Sequence, residues 1–126
     1  MPKTVPALSA APTPIAPYSV VTEANGFVFV SGQVAIDTAG GPTPPDVASQ
    51  TRLVMENLGR ILGDLGLGYG DIVKTTIFLA DMSEYGTVNE VYGSFFASDP
   101  PARSAVEVAA LPRSDFLVEI EAIAAR

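Results

Sequence analysis

The chain has 126 residues, of which 48% are hydrophobic and 17% charged, and its net charge is −7. It contains no cysteine and no histidine, which excludes disulfides, thiolate catalysis, zinc–sulfur sites and imidazole as a base or metal ligand. The acidic balance argues against nucleic acid, whose binding needs clustered Lys and Arg to displace counterions.

Residues 1–17 carry five prolines and read as an extended arm. The opening stretch is rich in Pro and Ala without a continuous apolar run, so it is not expected to be a signal peptide. Next comes "YSVVTEANGFVFVSGQV". Its Asn25-Gly26 pair between β-rich runs predicts a hairpin, with the second strand through Phe27–Ser31. "DTAGGPTPPD" is a loop. From Asp46 to Leu65 the positions Val47, Val54, Leu58, Ile61, Leu62 and Leu65 recur at three- and four-residue steps, predicting an amphipathic helix with Asp46 as N-cap and Gly66 as its stop.

"GLGYG" has the look of a phosphate-binding loop but the wrong neighbours. Such a loop follows a strand and opens a helix. This one follows a helix and opens a strand, so it reads as a helix end and a turn. "DIVKTTIFLAD" is a β-branched strand. "SEYGTVNEVYGSFF" returns to helical spacing, with Val88, Val91, Tyr92, Phe95 and Phe96 on one side and Ser83 as the expected N-cap. "ASDPP" ends it. Two closing strands follow, joined at "LPRSD".

The predicted order is β-β-α-β-α-β-β in one domain over residues 1–126. The helices link strands, so crossovers with parallel pairing are expected. The economical architecture is α+β: one mixed sheet with both helices on one face. Its other face is then left without cover from its own chain. The low charged fraction, against about 25% in ordinary soluble domains, points the same way, to a subunit interface. No apolar run approaches a membrane span, and cytoplasm is the expected location.

The closing strands carry Arg103, Glu107, Glu119 and Glu121. Their even positions (Ser104, Val106, Val108 and Ala110; Phe116, Val118, Ile120, Ala122 and Ala124) are apolar apart from one serine. If the two strands pair as a hairpin, parity puts both even sets under the helices and gathers Arg103, Glu107, Glu119 and Glu121 on the opposite face. Cross-strand charge pairing accounts for that cluster. So does an anion site, with a guanidinium fork for a carboxylate and a neighbouring acid to hold a water. A hard-cation site is the weakest alternative, for want of an oxygen-rich loop.

"PARSAVEVAALP" followed by "VEIEAIA" resembles the C-terminal signature of the RidA/YjgF family, the reactive intermediate deaminases. "IAPYS", "VSGQV" and "GDIVKTTIFLADMSEYGTVNEVYGSFF" resemble further motifs of that family, in its order and over nearly the whole chain. The resemblance implies a chorismate-mutase-like fold and a homotrimer whose sheets line a central barrel, with active sites between subunits. It implies hydrolysis of 2-aminoacrylate-derived imines and other 2-imino acids to 2-keto acids and ammonia, with no cofactor and no metal. By motif, Arg103 matches the arginine that pairs with the substrate carboxylate, and Glu119 the acid that helps activate water. Tyr18, Ser31 and Asn89 match pocket residues, Gly32 a backbone contact, and Ala105 a position that acts through its carbonyl. Glu107 and Glu121 read as structural. Ala105 stands where many members have Cys, Ala16 where glycine is usual, and "ASDP" is shorter than the usual segment. The alternatives are a small-carboxylate or keto-acid binding module without turnover, and a ribonuclease or translation inhibitor, which the acidic charge disfavours.

Overall fold

A computed structural model describes residues 3–9, 11, 13, 14 and 16–126. Part of the expected arm, and Ile15 of "IAPYS", lie outside these residues. The strands are β1 (Val21–Ala24), β2 (Phe27–Gln33), β3 (Ile72–Leu79), β4 (Ala102–Glu107) and β5 (Val118–Ala125), and the helices are α1 (Val47–Asp64) and α2 (Tyr85–Gly93). They follow the predicted order and form one five-stranded sheet, β1-β2-β5-β3-β4.

The β1–β2 hairpin turns on Asn25 and Gly26, with φ of 53° and 80°, between the paired Ala24 and Phe27. Two consecutive positive φ angles are the signature of the tight turn that suits strand twist. Helix α1 begins where predicted: the Asp46 side chain accepts the Ser49 N–H at 2.9 Å. It ends before Gly66, at φ 74°. Tyr69 of "GLGYG" folds back on α1 and donates its hydroxyl to the Met55 carbonyl, 2.8 Å. Helix α2 starts differently from the prediction. Asp81, not Ser83, supplies the capping carboxylate, accepting the Ser83 N–H at 2.9 Å and closing a 3-10 turn over Met82–Glu84 before the α-helix begins. An aspartate satisfies a backbone N–H two residues on without helical backbone of its own.

Val54, Met55, Leu58, Ile61 and Leu62 of α1 pack with Val28, Val30, Ile77, Leu79, Val118 and Ile120 of the sheet, all buried. Buried Val88 and Tyr92 bring α2 onto the same face. Buried Gln50 is fully engaged: its amide donates to the Pro44 and Asp115 carbonyls, 2.8 Å each, and accepts the Leu117 N–H at 2.8 Å. No helix among the described residues is long and apolar enough to cross a membrane.

The closing strands do not pair with each other. β3 lies between them, parallel to β4 and antiparallel to β5. Thr75, Ile77 and Leu79 register with Ala122, Ile120 and Val118 on one side and with Arg103, Ala105 and Glu107 on the other. Registered partners share a face, so parity holds for β5 and fails for β4. Arg103, Ala105 and Glu107 stand on the helix-covered side; Ser104 and Val106 stand with Glu119 and Glu121 on the outer side. Parity was an unsafe guide on β4 because both its sets hold apolar residues and an edge strand is buried only weakly. The outer face also carries exposed Phe27 and Phe29, and Val106 there is 43% exposed.

Candidate functional site

Arg103 lies on β4, at the edge of the sheet and under the start of α2. Its guanidinium sits 5.5 Å from the Tyr85 ring centroid and 5.1 Å from that of Tyr92. Nη2 donates to the Tyr85 hydroxyl at 2.9 Å. Tyr85 and Tyr92 are seven residues apart, two helical turns, and so project from one side of α2. The Tyr92 hydroxyl shares a 2.6 Å hydrogen bond with buried Thr75 of β3. Burial pushes the Tyr92 phenol above its ordinary value, against the pull of that bond and of Arg103. Among the described residues no carboxylate lies within ion-pair distance of Arg103. Glu107, four residues along the same strand, is used otherwise: it accepts the Met82 N–H at 2.7 Å and ties the turn before Tyr85 to β4. Asn89, one turn on from Tyr85, has a buried Oδ1 with no hydrogen-bond partner among the described residues. Ala105 follows Arg103 on the same face, on a strand whose outer edge pairs with no other strand among the described residues.

Glu119 belongs to a second group of residues. The β2–β5 ladder slips between Val30 and Gln33, so Ser31 and Gly32 occupy a bulge beside β5. The bulge brings the Gly32 backbone against the Glu119 side chain. A Cβ on Gly32 would collide with Glu119 Oε2 and lie 2.7 Å from its Cδ. The absence of a side chain at Gly32 is what lets the Glu119 carboxylate lie against this backbone; any Cβ there would push it away. Burial, and second the charge of Glu121, raise the Glu119 pKa above the usual 4.5. Ser31 donates its hydroxyl to the Ser19 carbonyl at 2.7 Å and its N–H to Val20 at 2.9 Å, which holds the segment carrying Tyr18 beside the bulge. Tyr18 itself is 51% exposed. The Ala16 carbonyl accepts the Tyr18 N–H at 2.8 Å, so this turn closes with alanine.

The structure thus sets Arg103 and Ala105 on β4 beside the helix that carries Asn89, and separately sets Gly32 against Glu119, with Ser31 of the same bulge holding the segment that carries Tyr18. In one chain the two groups lie on opposite faces of the sheet, with β3 between β4 and β5. The expected single cluster of Arg103 with three carboxylates does not exist. Glu107 is on the other face from Glu119 and Glu121, and among the described residues no group of three or more acidic side chains is arranged to hold a metal. Tyr85 and Tyr92 were missing from the candidates; their seven-residue spacing was the available signal.

The family model described as Endoribonuclease L-PSP matches residues 8–126. The chain belongs to this family, the RidA/YjgF proteins. A Mus musculus relative named 2-iminobutanoate/2-iminopropanoate deaminase is 45% identical over 115 residues, covering 90% of this chain and 84% of its own. The YjgF gene product of E. coli, a solved structure, is 43% identical with a TM-score of 0.87, over 93% of this chain and 94% of that one. E. coli TdcF, solved with bound serine, gives the same identity, TM-score and coverage. The sheet and its two helices are therefore the RidA/YjgF fold, as the quoted motifs led us to expect.

Proposed function

We propose that this RidA/YjgF chain hydrolyses 2-imino acids to 2-keto acids and ammonium, at sites completed between copies of a homotrimer. Arg103 is the observation that carries the reading: a guanidinium held against two tyrosine rings, with no carboxylate beside it among the described residues. An arginine so placed is ready to take a carboxylate with two parallel hydrogen bonds. The deaminase name of a relative at 45% identity supports the same substrate class.

The chemistry suits these residues. A protonated imine carbon is already electrophilic. Arg103 fixes the substrate carboxylate, with Asn89 Oδ1 and the β4 backbone at Ala105 as further polar contacts. Glu119, over Gly32 and near Tyr18 and Ser31, holds a water and accepts its proton as oxygen adds to C2. A carboxylate with a raised pKa is the stronger base for that step. The same proton then goes to the amino group. The C2–N bond breaks as the C2 hydroxyl gives up its remaining proton, which Glu119 passes to the departing ammonia; the carbonyl forms and ammonium leaves, so one water is consumed and no electrons are exchanged. One small molecule cannot touch both faces of a sheet. The water-holding group must then come from a second copy, whose apolar contact would cover Phe27, Phe29 and Val106.

The test is to follow the decay of freshly generated 2-iminobutanoate by semicarbazone trapping. Wild-type protein accelerates the decay, and Arg103→Ala loses ~10²-fold or more in kcat/KM. Chains carrying Arg103→Ala and chains carrying Glu119→Gln, each nearly inactive alone, are then refolded together. Random mixing leaves about a quarter of the shared sites intact and restores about that share of activity. No recovery beyond the parents would overturn the shared site. Unchanged imine decay with saturable 2-oxobutanoate binding would leave only a binding module.

A further inference from the structure

A guanidinium offers two edges on which a carboxylate docks with paired hydrogen bonds, Nη1 with Nη2 and Nε with Nη2. Nη2 belongs to both edges and gives one N–H to each. In this structure Nη2 spends one of its two N–H groups on the Tyr85 hydroxyl, at 2.9 Å. Arg103 has no acceptor atoms, so Tyr85 must be the acceptor. One docking edge is therefore closed and one is open. The rings of Tyr85 and Tyr92, at 5.5 and 5.1 Å, lie against the guanidinium, and the bond to the Tyr85 hydroxyl restrains its rotation. The support behind this pair is built: Thr75 holds the Tyr92 hydroxyl, and Glu107 holds the turn from which Tyr85 leaves.

We propose that Tyr85 is a positioning residue that closes one edge of Arg103, so that a 2-imino or 2-keto acid docks in a single orientation with C2 turned toward the water-holding group. This rests on the deaminase reading of the Arg103 site for its catalytic consequence, but not for its binding consequence. Opening the second edge adds a non-productive way to bind. Non-productive binding lowers kcat and KM by the same factor and leaves kcat/KM unchanged. A residue that merely supports the fold does not produce that pattern.

The test is Tyr85→Phe, which keeps the stacked ring and removes only the hydroxyl. Crystals of wild type and variant are soaked with 2-oxobutanoate, and imine kinetics are measured on both. In the wild type the carboxylate occupies one edge of Arg103 and the Tyr85 hydroxyl stays on Nη2. In Tyr85→Phe it occupies both edges, and kcat and KM fall together by about twofold or more, with kcat/KM held. A single orientation in the variant with unchanged kcat and KM overturns the proposal. So does a wild-type complex in which the ligand displaces the Tyr85 hydroxyl, or one that does not form. If both edges fill in the variant but neither protein hydrolyses imines, the edge selection stands and only the deaminase reading fails.

Discussion

Replacing Gly32 with alanine separates the close approach at the β2 bulge from the stability of the fold. The added Cβ would collide with Glu119 Oε2 and lie 2.7 Å from Cδ and 2.9 Å from Cγ. Carbon atoms rest at ~3.5 Å or more, so the carboxylate must retreat by about 1 Å. The backbone does not resist the change, because Gly32 is not among the glycines with positive φ, and alanine there narrows the unfolded ensemble, which stabilises by ~0.4–1 kcal/mol. What moves is the end of one partly buried side chain. A displacement of that size at a reacting group costs ~10²-fold, equivalent to about 2.7 kcal/mol of transition-state stabilisation. Gly32→Ala is therefore expected to melt near the wild-type temperature and to lose ~10²-fold in kcat/KM for 2-iminobutanoate. The same change in a Glu119→Gln background should cost much less, because the displaced base is already gone. Wild-type kcat/KM in Gly32→Ala, or equal losses in both backgrounds, would refute the role given to the bulge.

Glu119 also predicts a pH dependence of stability. Its folded pKa lies above the usual 4.5. Its favourable contribution is thus complete below 4.5 and is lost as pH rises through the folded value, where ionisation in a partly buried place beside Glu121 becomes a cost. Glu119→Gln should match the wild type at pH below 4.5 and gain on it as pH rises through the folded value, the gap holding steady above that; melting curves that stay parallel at every pH would contradict this. At Gly59 the sequence suggests that alanine would improve the helix, by about 1 kcal/mol. The structure says otherwise, because a Cβ there would strike the Tyr69 hydroxyl and sit 2.6 Å from Cζ of a rigid ring. Gly59→Ala is expected to lower stability by ~1–3 kcal/mol in urea unfolding with an unchanged m-value, and a gain would refute it.

Features set by neighbours in sequence were legible in advance. The Asn25-Gly26 turn, the Asp46 cap and the buried parity of β5 each depend on residues within a few positions. The placement of Arg103 depends on which strand lies beside β4, and nothing local to β4 specifies that β3 does. Its apolar residues occupy both parities, so alternation had no single answer. The approach of Gly32 to Glu119 joins residues from β2 and β5 through a bulge, which a glycine alone does not announce. The pairing of Arg103 with Tyr85 and Tyr92 was encoded in a helical spacing, but it became readable only once β4 was known to lie under α2.

The strand order has a consequence for synthesis. β5 is the last strand in sequence but the middle strand in space, hydrogen-bonded to β2 on one side and β3 on the other. While the chain is being made, β2 and β3 each present an unmet row of backbone groups, and α1 has no complete sheet to rest on. Gln50 waits too, since two of its three partners lie 65 and 67 residues downstream. The nascent protein is in effect two ribbons with an open slot, the state in which exposed edges recruit strands from other chains. Insertion of β5 closes the slot and completes the layer under the helices. Solubility during expression should therefore be most sensitive to changes in residues 118–125, even at positions that scarcely alter the finished protein.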